Sequence, residues 1–151
     1  MSRDQTIKTA KANIKKYGFT VTGVTTSPPF TYTSGFVAKD IPDLLVSGLE
    51  IKTAHGVLSS IYQLANNGLK LESGMVMDNI LDDGYKIMLI DIDSDKTEMY
   101  LTKVLYGKGF PAMAVILPDE DHRWPWEEGV STQYLSGQEH VMSLIGSKGR
   151  H

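Results

Sequence analysis

Apolar residues recur at helical spacing along some stretches of the chain and alternate with polar ones along others. This pattern predicts the elements. Residues 3–17 carry a thin apolar stripe of Ile7, Ala10, Ala12 and Ile14 among Lys8, Lys11, Lys15 and Lys16. Asp4 near the start and lysines near the end suit a helix dipole, and Gly18 stops the helix. Residues 19–24 alternate as a half-buried strand does, and residues 30–36 do so again after a Pro28-Pro29 turn. These two segments predict adjacent antiparallel strands. Asp40-Ile-Pro-Asp43 turns the chain into a short buried strand, Leu44–Val46, which Gly48 ends.

Residues 53–67 form the strongest helical pattern, with Ala54, Val57, Leu58, Ile61, Leu64 and Ala65 on one face and Gly68 as the stop. Leu69–Leu71 and Met75–Met77 are short strand segments, and Asp82-Asp-Gly84 is a hairpin-type turn. Residues 85–91 are apolar on both faces, which predicts a central strand. Ser94 opens a helix through Leu105 with Met99, Leu101, Val104 and Leu105 inward. Residues 112–117 are a buried strand, and residues 139–145 a weakly amphipathic segment. Runs of strands separated by single helices predict an α+β fold. Its sheet should be mixed, mostly antiparallel and flanked by two or three helices. One domain over residues 1–145 and a polar, glycine-rich tail over 146–151 complete the expected organisation.

Charge and composition narrow the function. Fifteen cations against eighteen carboxylates leave a net charge of −3, which gives no electrostatic case for a nucleic-acid polymer. The absence of Cys excludes disulfides, thiolate zinc sites and a cysteine nucleophile. A polar N-terminus and the lack of a long apolar run give no signal peptide or membrane partner, so a cytoplasmic setting is expected.

The densest chemistry lies in Asp119-Glu-Asp-His-Arg-Trp-Pro-Trp-Glu-Glu128, which holds both tryptophans. Pro118 and Pro125 prevent it from running on as a helix. It should be a loop leaving the strand 112–117. Arg123 can clamp an anion, or it can pair with Asp119 or Glu127 and fix the loop. Trp124 can stack on a flat ring, while Trp126 is the expected core anchor. A second cluster is Tyr32-Thr33-Ser34-Gly35, where hydroxyls sit beside a glycine that lets a ligand near the backbone. Asp119, Asp121 and His122 have neither EF-hand nor zinc spacing, so neither a metal nor another cofactor is expected.

Three blocks carry a family resemblance. Phe30-Thr-Tyr-Thr-Ser-Gly-Phe36 resembles an F-x-Y-T-x-G-L block, and Ile41-Pro-Asp-Leu-Leu-Val-Ser-Gly-Leu49 resembles an H-P-E-L-h-h-x-G-L block, where h is apolar. Pro118-Asp-x-x-x-Arg-x-Pro-Trp-Glu127 resembles P-D-x-x-G-R-F-P-W-E. These blocks are those of the DUF4262 family, a bacterial and phage set, over roughly residues 17 to 130 of this chain. The resemblance implies a compact α/β domain and no activity. The chain departs from the pattern at Ile41 for His, Asp43 for Glu and Trp124 for Phe.

Three functional readings follow. In the first, the domain binds a small, flat, anionic, nucleotide-like molecule through Tyr32, Thr33, Gly35, Arg123 and Trp124, with the two clusters lining one pocket. In a phage, such a domain would sequester a host defence signal. In the second, it is a hydrolase of a phosphate or glycosidic bond, with His122 or His55 as acid or base and Asp119 or Glu127 assisting. In the third, it is an interaction module that forms a homodimer or higher homo-oligomer.

Overall fold

Serine 2 starts the first helix. Its hydroxyl accepts the Gln5 amide at 3.1 Å, and Gly18, at φ 94°, closes the helix by donating to the Ile14 carbonyl. A computed structural model describes residues 2–145. Its helices are α1 (Arg3–Tyr17), α2 (Ile51–Asn66), α3 (Tyr100–Tyr106) and α4 (Thr132–Ile145). Its strands are β1 (Thr20–Val24), β2 (Phe30–Ser34), β3 (Asp43–Ser47), β4 (Val76–Met77), β5 (Ile87–Ile92) and β6 (Ala112–Ile116). The tail at 146–151 lies outside the described residues.

All six strands form one sheet in the order β1-β2-β3-β6-β5-β4. Only β3 and β6 run parallel, with Leu44 opposite Met113 and Val46 opposite Val115. Every other pair is antiparallel, so the fold is α+β with a mixed, mostly antiparallel sheet. The parallel pair is central and buried on both faces, as parallel strands generally are.

Side chains alternate across the sheet and feed two cores. Leu44, Val46, Met113 and Val115 join Ile87 and Leu89 under α2, which contributes Ala54, Val57, Leu58, Ile61 and Tyr62. Leu45, Ala114, Ile116, Phe30 and Tyr32 face the other way, against Val141, Leu144 and Ile145 of α4 and Met99 before α3. α1 packs along β1, the edge strand.

Several expectations need correction. Leu64 is 42% exposed, because the buried stripe of α2 runs through Tyr62 instead. Leu69–Leu71 joins no ladder, although Leu71 is buried. Residues 94–96 form a separate 3-10 turn, in which the Asp93 carboxylate accepts the Asp95 amide, and α3 begins only at Tyr100. Val104 then points outward at the helix surface. α4 begins seven residues earlier than the apolar pattern of 139–145 suggests. Its buried Gln138 donates to the Ser47 carbonyl at 3.1 Å and accepts the Leu117 amide at 3.1 Å. A polar side chain therefore holds the helix across the ends of β3 and β6, where an apolar stripe would be sought.

Leu58 is fully buried beneath the sheet. Leu58→Ala should cost about 2–5 kcal/mol in urea unfolding. Leu64→Ala should stay within about 0.5 kcal/mol of the parent, as exposed substitutions do. Equal losses at the two positions would contradict the assigned face of α2.

Candidate functional site

Sheet topology separates the two clusters that the sequence places in one pocket. β2 runs antiparallel to β3, and β3 runs parallel to β6. The end of β2, at Ser34-Gly35, therefore lies at one end of the strands, and the loop that leaves β6 at Leu117-Pro118 lies at the other. The first two family blocks meet at one end of the sheet through Asp43, and the third organises the opposite end.

The first end is built on Asp43, which is completely buried at the start of β3. One carboxylate oxygen accepts the Thr33 hydroxyl at 2.6 Å and the Phe36 amide at 3.1 Å, and the other accepts the Val37 amide at 3.3 Å. Thr33 Oγ1 also accepts the Leu44 amide at 2.9 Å. Thr33 is thus saturated by protein groups. Tyr32 is buried, with its hydroxyl accepting the Leu101 amide at 3.1 Å. Gly35, at φ 118°, sits so close to the Gly18 carbonyl and Phe19 that a Cβ would meet both at 3.0 Å. Its conformation serves a turn against α1, leaving no approach for a ligand. Burial pushes the Asp43 carboxyl up to about 6, although the Thr33, Phe36 and Val37 donors pull it down.

The second end carries the loop of residues 118–128, which is fastened to itself. Asp119 is 8% exposed. Its Oδ1 accepts the Asp121 amide at 2.9 Å and the Arg123 amide at 2.8 Å, and its Oδ2 accepts Arg123 Nε at 2.9 Å. Arg123 Nη2 reaches Asp121 at 3.0 Å, and its guanidinium rests on Gly129. Glu127 accepts the Trp124 amide. Desolvation would raise the Asp119 carboxyl, yet the amide and guanidinium of Arg123 outweigh it and hold the group below its ordinary value. The Tyr134 hydroxyl of α4 donates to the Leu117 carbonyl beneath the loop. Desolvation first, then the charges of Asp119 and Glu127, raise its pKa well above the ordinary value.

This fastening leaves two aromatic groups beside a cleft. His122 takes a left-handed backbone at φ 66°, and its imidazole stacks on Tyr85 with ring centres 4.3 Å apart and planes 19° apart. Tyr85 donates to the Glu120 carbonyl at 2.8 Å, tying the loop to the chain ahead of β5. Trp124 is half-buried against the α4 core and stacks with Trp126 at 6.1 Å. Trp126 is 50% exposed, so the expected core anchor is on the surface and Trp124 has the inner place. Val76, Lys86, Pro118, His122 and Trp124 line a cleft of about 490 Å³. Lys86 is its cation, 3.7 Å from Asp78 with both side chains exposed.

Of the residues singled out in the sequence, the structure gathers His122, Arg123 and Trp124 around the loop, with Asp119 beneath. Tyr32, Thr33 and Gly35 are apart from them. His55 lies on the exposed face of α2, 3.3 Å from the Ser59 hydroxyl, and joins neither group. Among the described residues no group of three His, Cys, Asp or Glu is placed to hold a metal. Lys86 and Tyr85 belong to no motif, so no sequence signal marks them. Asp43 was visible only as a conservative replacement, although an acid directly before a buried apolar strand is itself a signal of a carboxylate with internal donors.

Two outcomes follow. Unfolded Asp43 ionises near 3.8 and folded Asp43 near 6, so stability is whole below 3.8 and declines as pH rises through 6. The loss should reach about 3 kcal/mol. Urea unfolding across this window should show the decline for the parent and a flatter profile for Asp43→Asn; superimposable profiles would contradict the assignment. The depressed Asp119 works in the opposite sense, adding stability above its unfolded value that disappears as acid protonates it. Arg123→Ala should lower the melting temperature and speed proteolysis within 118–130. If neither changes, Arg123 does not fasten the loop.

Comparison with curated proteins and with solved structures finds no match. Among the described residues no helix is long and apolar enough to cross a membrane. The family model described as Domain of unknown function (DUF4262) matches residues 13–131. That span contains β1 to β6, the Asp43 network and the whole fastened loop, and the chain belongs to the DUF4262 family.

Proposed function

We propose that this protein binds a small, flat, anionic molecule of nucleotide-like chemistry in the cleft between β4, Lys86 and the loop of residues 118–128. One observation carries the reading: two aromatic groups and a lightly held cation meet at one concavity. Trp124 offers a π-face for a base, and His122, on its Tyr85 platform, lines the same cleft. Lys86 supplies the charge, because its exposed pairing with Asp78 is of a kind that contributes little and is readily exchanged. The volume of about 490 Å³ suits a small molecule. Arg123 holds the loop in shape; its guanidinium is already engaged by two carboxylates.

Binding is favoured over hydrolysis by the state of the carboxylates. Both oxygens of Asp119 already accept hydrogen bonds, and Glu127 caps the Trp124 amide. Among the described residues no carboxylate hydrogen-bonds the His122 ring to orient it as a general base.

Titration calorimetry with a panel of nucleoside monophosphates and cyclic nucleotides tests the reading. Trp124→Ala should weaken binding by about 1–3 kcal/mol, the usual worth of a stacked base. Lys86→Gln should weaken it and flatten its salt dependence, whereas Tyr32→Phe should leave it unchanged. The ligand should be recovered intact by chromatography. No heat from any member of the panel, or equal losses from Tyr32→Phe and Trp124→Ala, would overturn the assignment.

A further inference from the structure

Charge is segregated along the sheet. Residues 3–17 hold five cations and one carboxylate, a net of +4. Residues 72–98 hold eight carboxylates and two lysines, a net of −6. The remaining residues come to −1, so the two segments carry nearly all the imbalance of a chain whose total is −3.

Topology puts the basic segment and the first part of the acidic one at opposite edges. The basic segment is α1, packed on β1, and β1 is one edge strand. The acidic segment from Glu72 to Asp91, five carboxylates and one lysine, contains β4 and most of β5, and β4 is the other edge strand. Asp93, Asp95 and Glu98 instead lead on to α3, which packs on β2. Five strand spacings separate the two edges, roughly 24 Å at about 4.8 Å each. That distance is beyond the Debye length at physiological salt, about 8 Å, so the patches do not neutralise each other within one molecule. Helical spacing gathers Lys8, Lys11 and Lys15 on one exposed face of α1. Ile14 and Ala10 occupy the inner side, so the basic face is turned away from the fold. Among the described residues none of the α1 cations is in an ion pair. At the far edge, Glu72, Asp82 and Asp91 are exposed and likewise unpaired among the described residues.

We infer that the α1 face is a docking surface for the β4–β5 edge of a second copy of this chain. Charge complementarity identifies the occupant. A polyanion would meet a molecule of net negative charge, whereas another copy presents a localised acidic edge of opposite sign and comparable extent. The two patches differ, so the contact is heterologous and adds copies in series until a ring closes. Electrostatic complementarity of this kind speeds encounter and sets register, and its strength falls with salt.

Sedimentation velocity of the full chain at ~20 mM and ~500 mM salt tests the inference. At low salt the average mass should exceed the monomer's and rise with protein concentration, and at high salt it should return to the monomer's. The triple variant Lys8→Glu, Lys11→Glu, Lys15→Glu should be monomeric at both, with unchanged circular dichroism and melting. So should the triple variant Glu72→Lys, Asp82→Lys, Asp91→Lys. Mixing the two variants pairs an acidic α1 with a basic β4–β5 edge and should restore association. A parent that stays monomeric at low salt, association that salt does not weaken, or variants that associate alone would overturn the inference. So would a monomeric parent retained on double-stranded DNA, which would make the α1 face a polyanion site.

Discussion

A carboxylate placed at the start of a central strand loses its water, and the loss must be offset by donors that the fold itself brings up. Asp43 obtains them from three places: the Thr33 hydroxyl on β2 and the Phe36 and Val37 amides of the turn between β2 and β3. This requirement ties residues 30–36 to residues 41–49, the first two family blocks. Thr33 must stand within reach of Asp43 across the β2–β3 pair for the hydroxyl to donate, and Gly35 must take its left-handed turn for the two amides to point back. Thr33 in turn receives the Leu44 amide, so β2 and β3 are joined through side chains as well as their ladder. The donors only partly offset burial, which is why the carboxyl remains well above its ordinary range.

The parallel pairing of β3 with β6 carries that constraint across the molecule. With Asp43 holding the start of β3, the end of β6 is delivered to the opposite end of the sheet. There a second aspartate solves a different problem. Asp119 has a guanidinium as well as amides, so its carboxyl is depressed where that of Asp43 is raised. Tyr134 and Gln138 bind the same strand ends to α4. The loop is therefore held by its acids, its arginine and its neighbours, while His122 and Trp124 are left facing the cleft with Lys86. The residues that define the family motif mainly shape the loop, and the proposed ligand contacts fall on its remaining rings and on a lysine outside it.

Local features were legible in the sequence where one local cause dominates. Asp4 and the terminal lysines mark α1 and Gly18 ends it, alternation marks β1 and β2, and the apolar stripe of α2 shows most of its buried face. Features set by distant partners were not. The start of α4 is hidden because Gln138 docks it by hydrogen bonds to residues 47 and 117. The two tryptophans exchange their expected places because the turn through Pro125 directs Trp124 toward α4 and Trp126 outward. Tyr32 and Thr33 have the hydroxyls a ligand site would use, yet protein donors and acceptors reach them first. No pattern within one segment reveals that β2 and β6 finish at opposite ends, because that follows from sheet order.

Two aspartates at acidic positions of the family blocks organise opposite ends of the sheet by different physics, burial for Asp43 and a guanidinium for Asp119. Carbon-13 NMR titration of the side-chain carboxyls tests this most directly. Asp43 should titrate near 6 and Asp119 below the ordinary value of 3.8. If Asp43 titrates with the exposed aspartates, or if both shift in the same direction, the account is contradicted.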